Sequence, residues 1–130
     1  MAISFAKIGV GNSYSRPELA KIWGYSGYQA LARGVVTPKG DNKIVLFVTI
    51  NKPEYIEQYK DEFKDGVLLW EGPTDHFAEG RMVDSKRTGD EIHVFYREHH
   101  HLDFLYDGKF IVDNYTLNAN KPSKFTLKRN

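Results

Sequence analysis

The side chains with most chemistry to offer in this 130-residue sequence are five histidines, two tryptophans and scattered arginines and carboxylates. The densest group is Glu98-His99-His100-His101. On an extended backbone His99 and His101 share one face and Asp103 follows them; imidazole with carboxylate can ligate zinc, nickel or copper. These residues admit a compact metal-dependent nuclease built on His99, His101 and Asp103. Structural metals more often draw ligands from distant segments, so a solvated, His-rich edge or turn is the plainer reading. No His-Glu-x-x-His, Gly-x-Ser-x-Gly or phosphate-loop pattern occurs, and Asp84-Ser85-Lys86 matches only half of a nuclease carboxylate–lysine motif. Without Cys there is no thiolate nucleophile, disulfide framework or Cys-based zinc site. The sequence implies no catalytic residue, metal site or cofactor.

What remains is a recognition set. Trp70 and Glu71 precede a broken segment that holds Asp75, His76 and Arg81. Tyr25 and Tyr28 sit on a glycine-flanked loop, and Arg33, Lys39, Lys43, Lys86, Arg87 and Arg97 are available to phosphates. A base swung out of a duplex needs an aromatic platform, one or two groups on its Watson–Crick edge and cations on the flanking phosphates. The expectation is that Trp70 or a loop tyrosine stacks and that Glu71, Asp75 or His76 reads the edge. Arg33, Arg81, Lys86, Arg87 and Arg97 then hold the backbone. For Trp70 alone, burial in a core is the commoner fate of a tryptophan.

Charge is uneven. Residues 1–50 carry six basic and two acidic groups, residues 51–80 three and eight, and residues 81–130 nine and seven, so a formal total of +1 conceals basic and acidic regions. That total disfavours a purely electrostatic, sequence-blind DNA coat. The acidic stretch with Glu54, Glu57 and Asp61 admits another use, docking onto a basic protein partner.

These groups must be positioned by elements that the pattern partly reveals. Residues 1–12 read as a lead-in. Ser15-Arg16-Pro17-Glu18 has the form of a capping box, with Leu19, Ile22 and Trp23 as the apolar stripe of a helix over residues 16–23 that Gly24 ends. Residues 29–36 suit a short helix or a strand. Thr37 to Asn42 is a turn, and residues 43–50, apolar on both faces, are a central strand. Pro53 opens a third helical segment. Residues 67–71 form a strand, residues 77–88 are irregular and polar, and residues 91–97 alternate with Ile92, Val94 and Tyr96 on one face and His93, Phe95 and Arg97 on the other. Asp107-Gly108 has the form of a hairpin turn between residues 102–106 and 109–112, and residues 123–128 are a last strand. The sum is one α+β domain over residues 1–130: a curved, mostly antiparallel sheet or half-open β-barrel with two or three short helices. No apolar run is long enough for a membrane span, and the first eleven residues lack a signal-peptide pattern, so the cytosol is the expected compartment.

The order of motifs carries a further signal. Tyr14-Ser15-Arg16-Pro17-Glu18-Leu19, Trp23-Gly24-Tyr25, Ile44-Val45-Leu46-Phe47-Val48-Thr49, Tyr59-Lys60-Asp61-Glu62-Phe63, Leu69-Trp70-Glu71-Gly72, residues 90–97 and Phe104-Leu105-Tyr106-Asp107-Gly108 together resemble a small domain attached to superfamily-two helicase restriction enzymes and HNH-type nucleases. That domain resembles the SRA readers of modified cytosine. The resemblance spans residues 14–112. It implies binding to double-stranded DNA, with 5-methyl- or 5-hydroxymethylcytosine as the feature read, in a modification-dependent restriction setting alongside a nuclease or helicase domain or subunit. It assigns no individual residue a role.

Overall fold

The structure, a computed structural model, describes residues 3–38, 40–51, 62–64, 66–73 and 75–130. In chain order its elements are β1 (Ser13–Tyr14), α1 (Arg16–Ile22), a 3₁₀ turn (Gln29–Leu31), β2 (Val35–Val36), β3 (Lys43–Asn51), β4 (Glu62–Lys64), β5 (Val67–Glu71), α2 (Glu79–Thr88), β6 (Glu91–His99), β7 (Phe104–Thr116) and β8 (Lys124–Arg129). The strands form one open, curved sheet in the order β2-β3-β6-β7-β8-β5-β4, with β1 added against the start of β7. Among the described residues every pairing is antiparallel except one: β3 and β6 run parallel, from Lys43 opposite Glu91 to Asn51 opposite His99.

Both faces of this sheet are covered, which explains why β3 is buried along nearly its whole length. The period-two alternation of β6 separates two clusters. Ile92 and Val94 pack with Ile44, Leu46, Val48, Leu68, Trp70, Phe125, Leu127 and Met82 of α2. On the other face Phe95 packs with Val45, Phe47, Phe104 and Tyr106 under a lid made from Ile3, Ile8 and α1. The lid is fastened by polar contacts: the Trp23 indole N–H donates to the Ser4 carbonyl at 2.8 Å, and the Ile3 amide donates to Asp41 at 2.6 Å.

α1 forms as its sequence directs. The Ser15 hydroxyl accepts from the Glu18 amide, Glu18 accepts from the Ser15 amide, and Pro17 sits in the first turn where no helical N–H is needed. Its buried stripe is Leu19, Ala20 and Trp23, whereas Ile22 is exposed. Residues 29–36 divide between the 3₁₀ turn and β2.

Two elements differ from their sequence reading. Residues 79–88 are helical, not irregular. α2 is so polar that it shows no full apolar stripe; it buries only Met82 and Ser85, and the Ser85 hydroxyl satisfies itself on the Met82 carbonyl at 2.8 Å. Glu79 in its first turn, Lys86 and Arg87 in its last and the left-handed Gly89 after it are the signals that define its ends. Asp107-Gly108 is no hairpin turn either: β7 runs straight through it. The register of β6 against β7 shifts between Val94 and Phe95, leaving Asp107 as the extra residue of a bulge, with Gly108 at φ +102°. The Asp107 carboxylate is held by the Arg129 guanidinium at 2.7 and 2.9 Å. The segment opened by Pro53, with Glu54, Glu57 and Asp61, lies outside the described residues, as does Lys39.

Candidate nucleic-acid interface

The end of the sheet where β3 and β6 finish brings two arginines together. Arg16, in the first turn of α1, and Arg97, two residues before the end of β6, both stack on Phe104, the first residue of β7. Their guanidinium carbons lie 4.9 and 4.2 Å from its ring centre, and Arg16 also stacks on Phe47 at 4.8 Å. Neutral oxygens and one imidazole fix both groups. Arg16 donates to the carbonyls of Leu31 and Arg33 at 2.6 and 3.4 Å. Arg97 donates to the Thr49 hydroxyl at 2.8 Å and the Leu102 carbonyl at 3.3 Å, with His100 Nδ1 at 3.4 Å. Burial, reinforced by the charge of Arg97, lowers the pKa of Arg16 to about 10, and burial also lowers that of Arg97. Together with Tyr28, His101 and Asp103 they line an open cavity of about 350 Å³.

A second group lies next to it through the loop after the 3₁₀ turn. The Arg33 guanidinium grips both oxygens of Asp75 at 3.1 and 3.0 Å and lies 4.3 Å over the Phe77 ring. The Phe77 amide, ahead of Arg33, holds the Asp75 carboxyl below its usual range. His76 Nδ1 meets the Glu79 carboxylate, and this hydrogen bond raises the imidazole pKa. His76 and Ala78 have φ of +60° and +66°, uncommon for residues with a side chain. Such local strain often collects at ligand clamps.

The third group is a cavity, also about 350 Å³, at the end of β5, lined by Trp70, Glu71, Tyr115, Lys124 and Phe125 among others. The register explains the assembly: Trp70 lies opposite Phe125 and Glu71 opposite Lys124, while Phe125 and Lys124 also face Tyr115 and Thr116 of β7. Tyr115 is 43% exposed, with its ring centre 6.1 Å from that of Phe125.

The structure thus distributes the sequence-derived residues. Trp70 is a core side chain, 5% exposed, with its ring centre 5.5 Å from that of Phe125, and it borders the cavity. Its faces are therefore not a ready stacking platform. Tyr25 is half-buried against the second cluster, where burial, then Asp41, raises its pKa. Tyr28 remains 49% exposed on the arginine-lined cavity. Arg33, Asp75 and His76 come together, the first two as partners. Arg81 clasps α2 to its surroundings, donating to Asp90 at 3.2 Å and to the Asp41 carbonyl at 3.2 Å. Lys43 lies near Asp41 and Glu91 at the opposite end of β3. Lys86 and Arg87 are exposed on α2, Arg87 3.1 Å from Asp84. The His run closes β6 and enters the exposed turn before β7; the rings of His99 and His101 stack 5.9 Å apart, and among the described residues no three potential ligands gather. Sequence reading missed Arg16, whose capping context hid a side chain directed at the sheet. It also missed Tyr115, because β7 extends four residues past Val112, and Lys124, which that extension brings opposite Thr116.

This architecture matches that of solved SRA domains. The chain is similar over its full length to the SUVH5 SRA domain solved with hemi-methylated CG DNA, at 17% identity and a TM-score of 0.67, covering 94% of that chain. The same domain bound to fully hydroxymethylated CG DNA matches at 18% identity and a TM-score of 0.65, again over 100% of this chain and 94% of that one. The DNA modification-dependent restriction endonuclease AspBHI matches at 14% identity and a TM-score of 0.52, over 92% of this chain and 70% of that one. No protein-family model and no curated protein matches the sequence. At these identities the likeness establishes the fold. Among the described residues no helix is long and apolar enough to cross a membrane.

Proposed function

We propose that this chain is a DNA-binding reader of modified cytosine, 5-methyl or 5-hydroxymethyl, that has no catalytic role of its own. The observation that carries the reading is the fold: the whole chain matches domains whose structures hold methylated and hydroxymethylated CG duplexes. The chemistry of the β5 cavity suits a base taken out of the stack. Tyr115 offers a ring face, and the Glu71 carboxylate is the natural acceptor for the cytosine N4 amine. Lys86 and Arg87 are exposed for flanking phosphates. Double-stranded DNA is the partner, a restriction or defence system in the cytosol is the setting, and a nuclease or helicase domain or subunit supplies the cutting or translocation.

Fluorescence anisotropy with otherwise identical duplexes carrying cytosine, 5-methylcytosine or 5-hydroxymethylcytosine, at one fixed salt concentration, tests this. A modified duplex is expected to bind about tenfold or more tightly than the plain one, a difference of about 1.4 kcal/mol. Glu71→Gln should narrow that preference. Equal binding to all three overturns the reader assignment, and failure to bind any duplex at micromolar protein overturns DNA binding altogether.

A further inference from the structure

We propose that the cavity between α1 and the β6–β7 turn is a phosphate-binding site in which Arg16 and Arg97, bracketing Phe104, grip one phosphate oxyanion, the backbone phosphate of bound DNA. The proposal rests on the DNA-reader assignment for the source of the phosphate but not for the chemistry of the site.

Three observations converge on it. First, two guanidinium groups share one aromatic ring, at 4.9 and 4.2 Å from its centre, and border the same cavity. Second, among the described residues neither group forms an ion pair within 4.0 Å, unlike Arg33, Arg81, Arg87 and Arg129, each of which meets a carboxylate. Among the described residues Arg16 and Arg97 are met by carbonyls, a hydroxyl and an imidazole. Bringing two half-buried like charges together without an anion is unfavourable, and the lowered pKa of Arg16 has that cause, burial first and Arg97 second. An oxyanion in the cavity removes the repulsion. Third, the donors are pre-arranged. A guanidinium carries five N–H groups, and the contacts above leave some over on both side chains. Those contacts and the ring stacking hold the two planes in place, so little side-chain entropy is lost on binding a tetrahedral anion.

Asp103, which also lines the cavity, opposes the anion, and this makes a gain-of-function test possible. The probes are inorganic phosphate, followed by ³¹P line broadening and by thermal shift against chloride at matched ionic strength, and an unmodified and a methylated duplex titrated across a salt series. Wild type should bind phosphate. Arg97→Gln should lose that binding and weaken both duplexes about tenfold or more, with the slope of log affinity against log salt smaller by about one and the methylated-to-plain ratio unchanged. Arg97→Lys should restore part of the affinity but not all of it, because a point charge replaces a fork. Asp103→Asn should bind phosphate more tightly, an outcome that impaired folding cannot imitate.

If phosphate binds through these arginines while no duplex binds, the site stands as one for free phosphate and the DNA source is overturned. If the duplexes bind with discrimination, and neither Arg97→Gln nor Asp103→Asn changes phosphate binding or the salt slope, the site is overturned and the reader assignment survives.

Discussion

Acidification from about pH 7.5 to about pH 5.5 should cost this fold up to about 1.4 kcal/mol through one residue, His93. The imidazole is 3% exposed, stacked face to face on Phe5 with ring centres 3.6 Å apart. Its Nε2 is 2.9 Å from Glu91 and its Nδ1 2.7 Å from the Tyr106 hydroxyl. A carboxylate can only accept, so Nε2 carries the proton and Nδ1 accepts from the tyrosine, which is the neutral tautomer. Burial, partly offset by Glu91, depresses the His93 pKa in the folded protein. Burial, reinforced by Glu91, pushes the Tyr106 hydroxyl up to about 12 and keeps it a donor.

The sign follows from linkage. Below an unfolded pKa of about 6.5 the unfolded chain takes up a proton that the folded chain refuses, so stability falls as pH falls. A full proton of difference is worth about 1.4 kcal/mol per pH unit, and only about one unit of the interval lies below the unfolded pKa. Glu91, whose carboxyl is depressed chiefly by its bond to His93, loses its contribution at lower pH, through the carboxylate range. His76 has the opposite sign, since its raised pKa favours the fold at low pH. It is present in wild type and variant alike and cancels between them. The assay is urea unfolding, followed by the fluorescence of Trp23 and Trp70, at three pH values for wild type and His93→Gln. The difference in stability between the two proteins should shrink toward pH 5.5. Identical pH dependence in both would refute the assignment of a neutral, buried His93.

Four further substitutions test other parts of the structure. Gly108→Ala should destabilise by about 1–2 kcal/mol in denaturant titration, because φ +102° is strained for alanine, while the added methyl meets only Val10 at 3.6 Å. Ser15→Ala should cost about 1 kcal/mol through loss of the α1 cap and leave the unfolding slope unchanged. Trp70→Ala should cost about 3–5 kcal/mol as a core deletion, whereas Tyr115→Ala should change stability by under about 0.5 kcal/mol and weaken binding of the modified duplex. If the two exchanged these roles in calorimetry and anisotropy, the placement of the β5 cavity would be wrong.

Much of the architecture was legible because it is written in local pattern. Ser15 and Glu18 announce α1, the doubly apolar run from Ile44 to Val48 announces a central strand, and the alternation at Ile92, Val94 and Tyr96 against His93 and Phe95 separates the two clusters now seen on the two sheet faces. The failures share a cause: a local signal overridden by a distant partner. Asp107-Gly108 has turn chemistry, but Arg129 and a bulge against β6 keep it in a strand. α2 lacks a wide apolar stripe because it buries little more than Met82. At the interface, residue type suggested the cations but not their employment. Arg33 and Arg81 are engaged by Asp75 and Asp90, while Arg16, read only as part of a capping box, stands beside Arg97. Pairings of this sort depend on register across a sheet, which a linear pattern does not encode.

The parallel pairing of β3 with β6 has a kinetic consequence. The contact between Arg97 and Thr49 joins positions 48 apart in the chain, and the ladder beside it closes the same long loop. The entropy of that closure is lost before any hydrophobic return, which places assembly in the slow, milliseconds-to-seconds class of β-rich topologies. The consecutive strands β6, β7 and β8 need no such closure and should form the nucleus, with β3 docking afterwards. Truncating Val45 should therefore mainly speed unfolding, whereas truncating Phe110 should mainly slow folding.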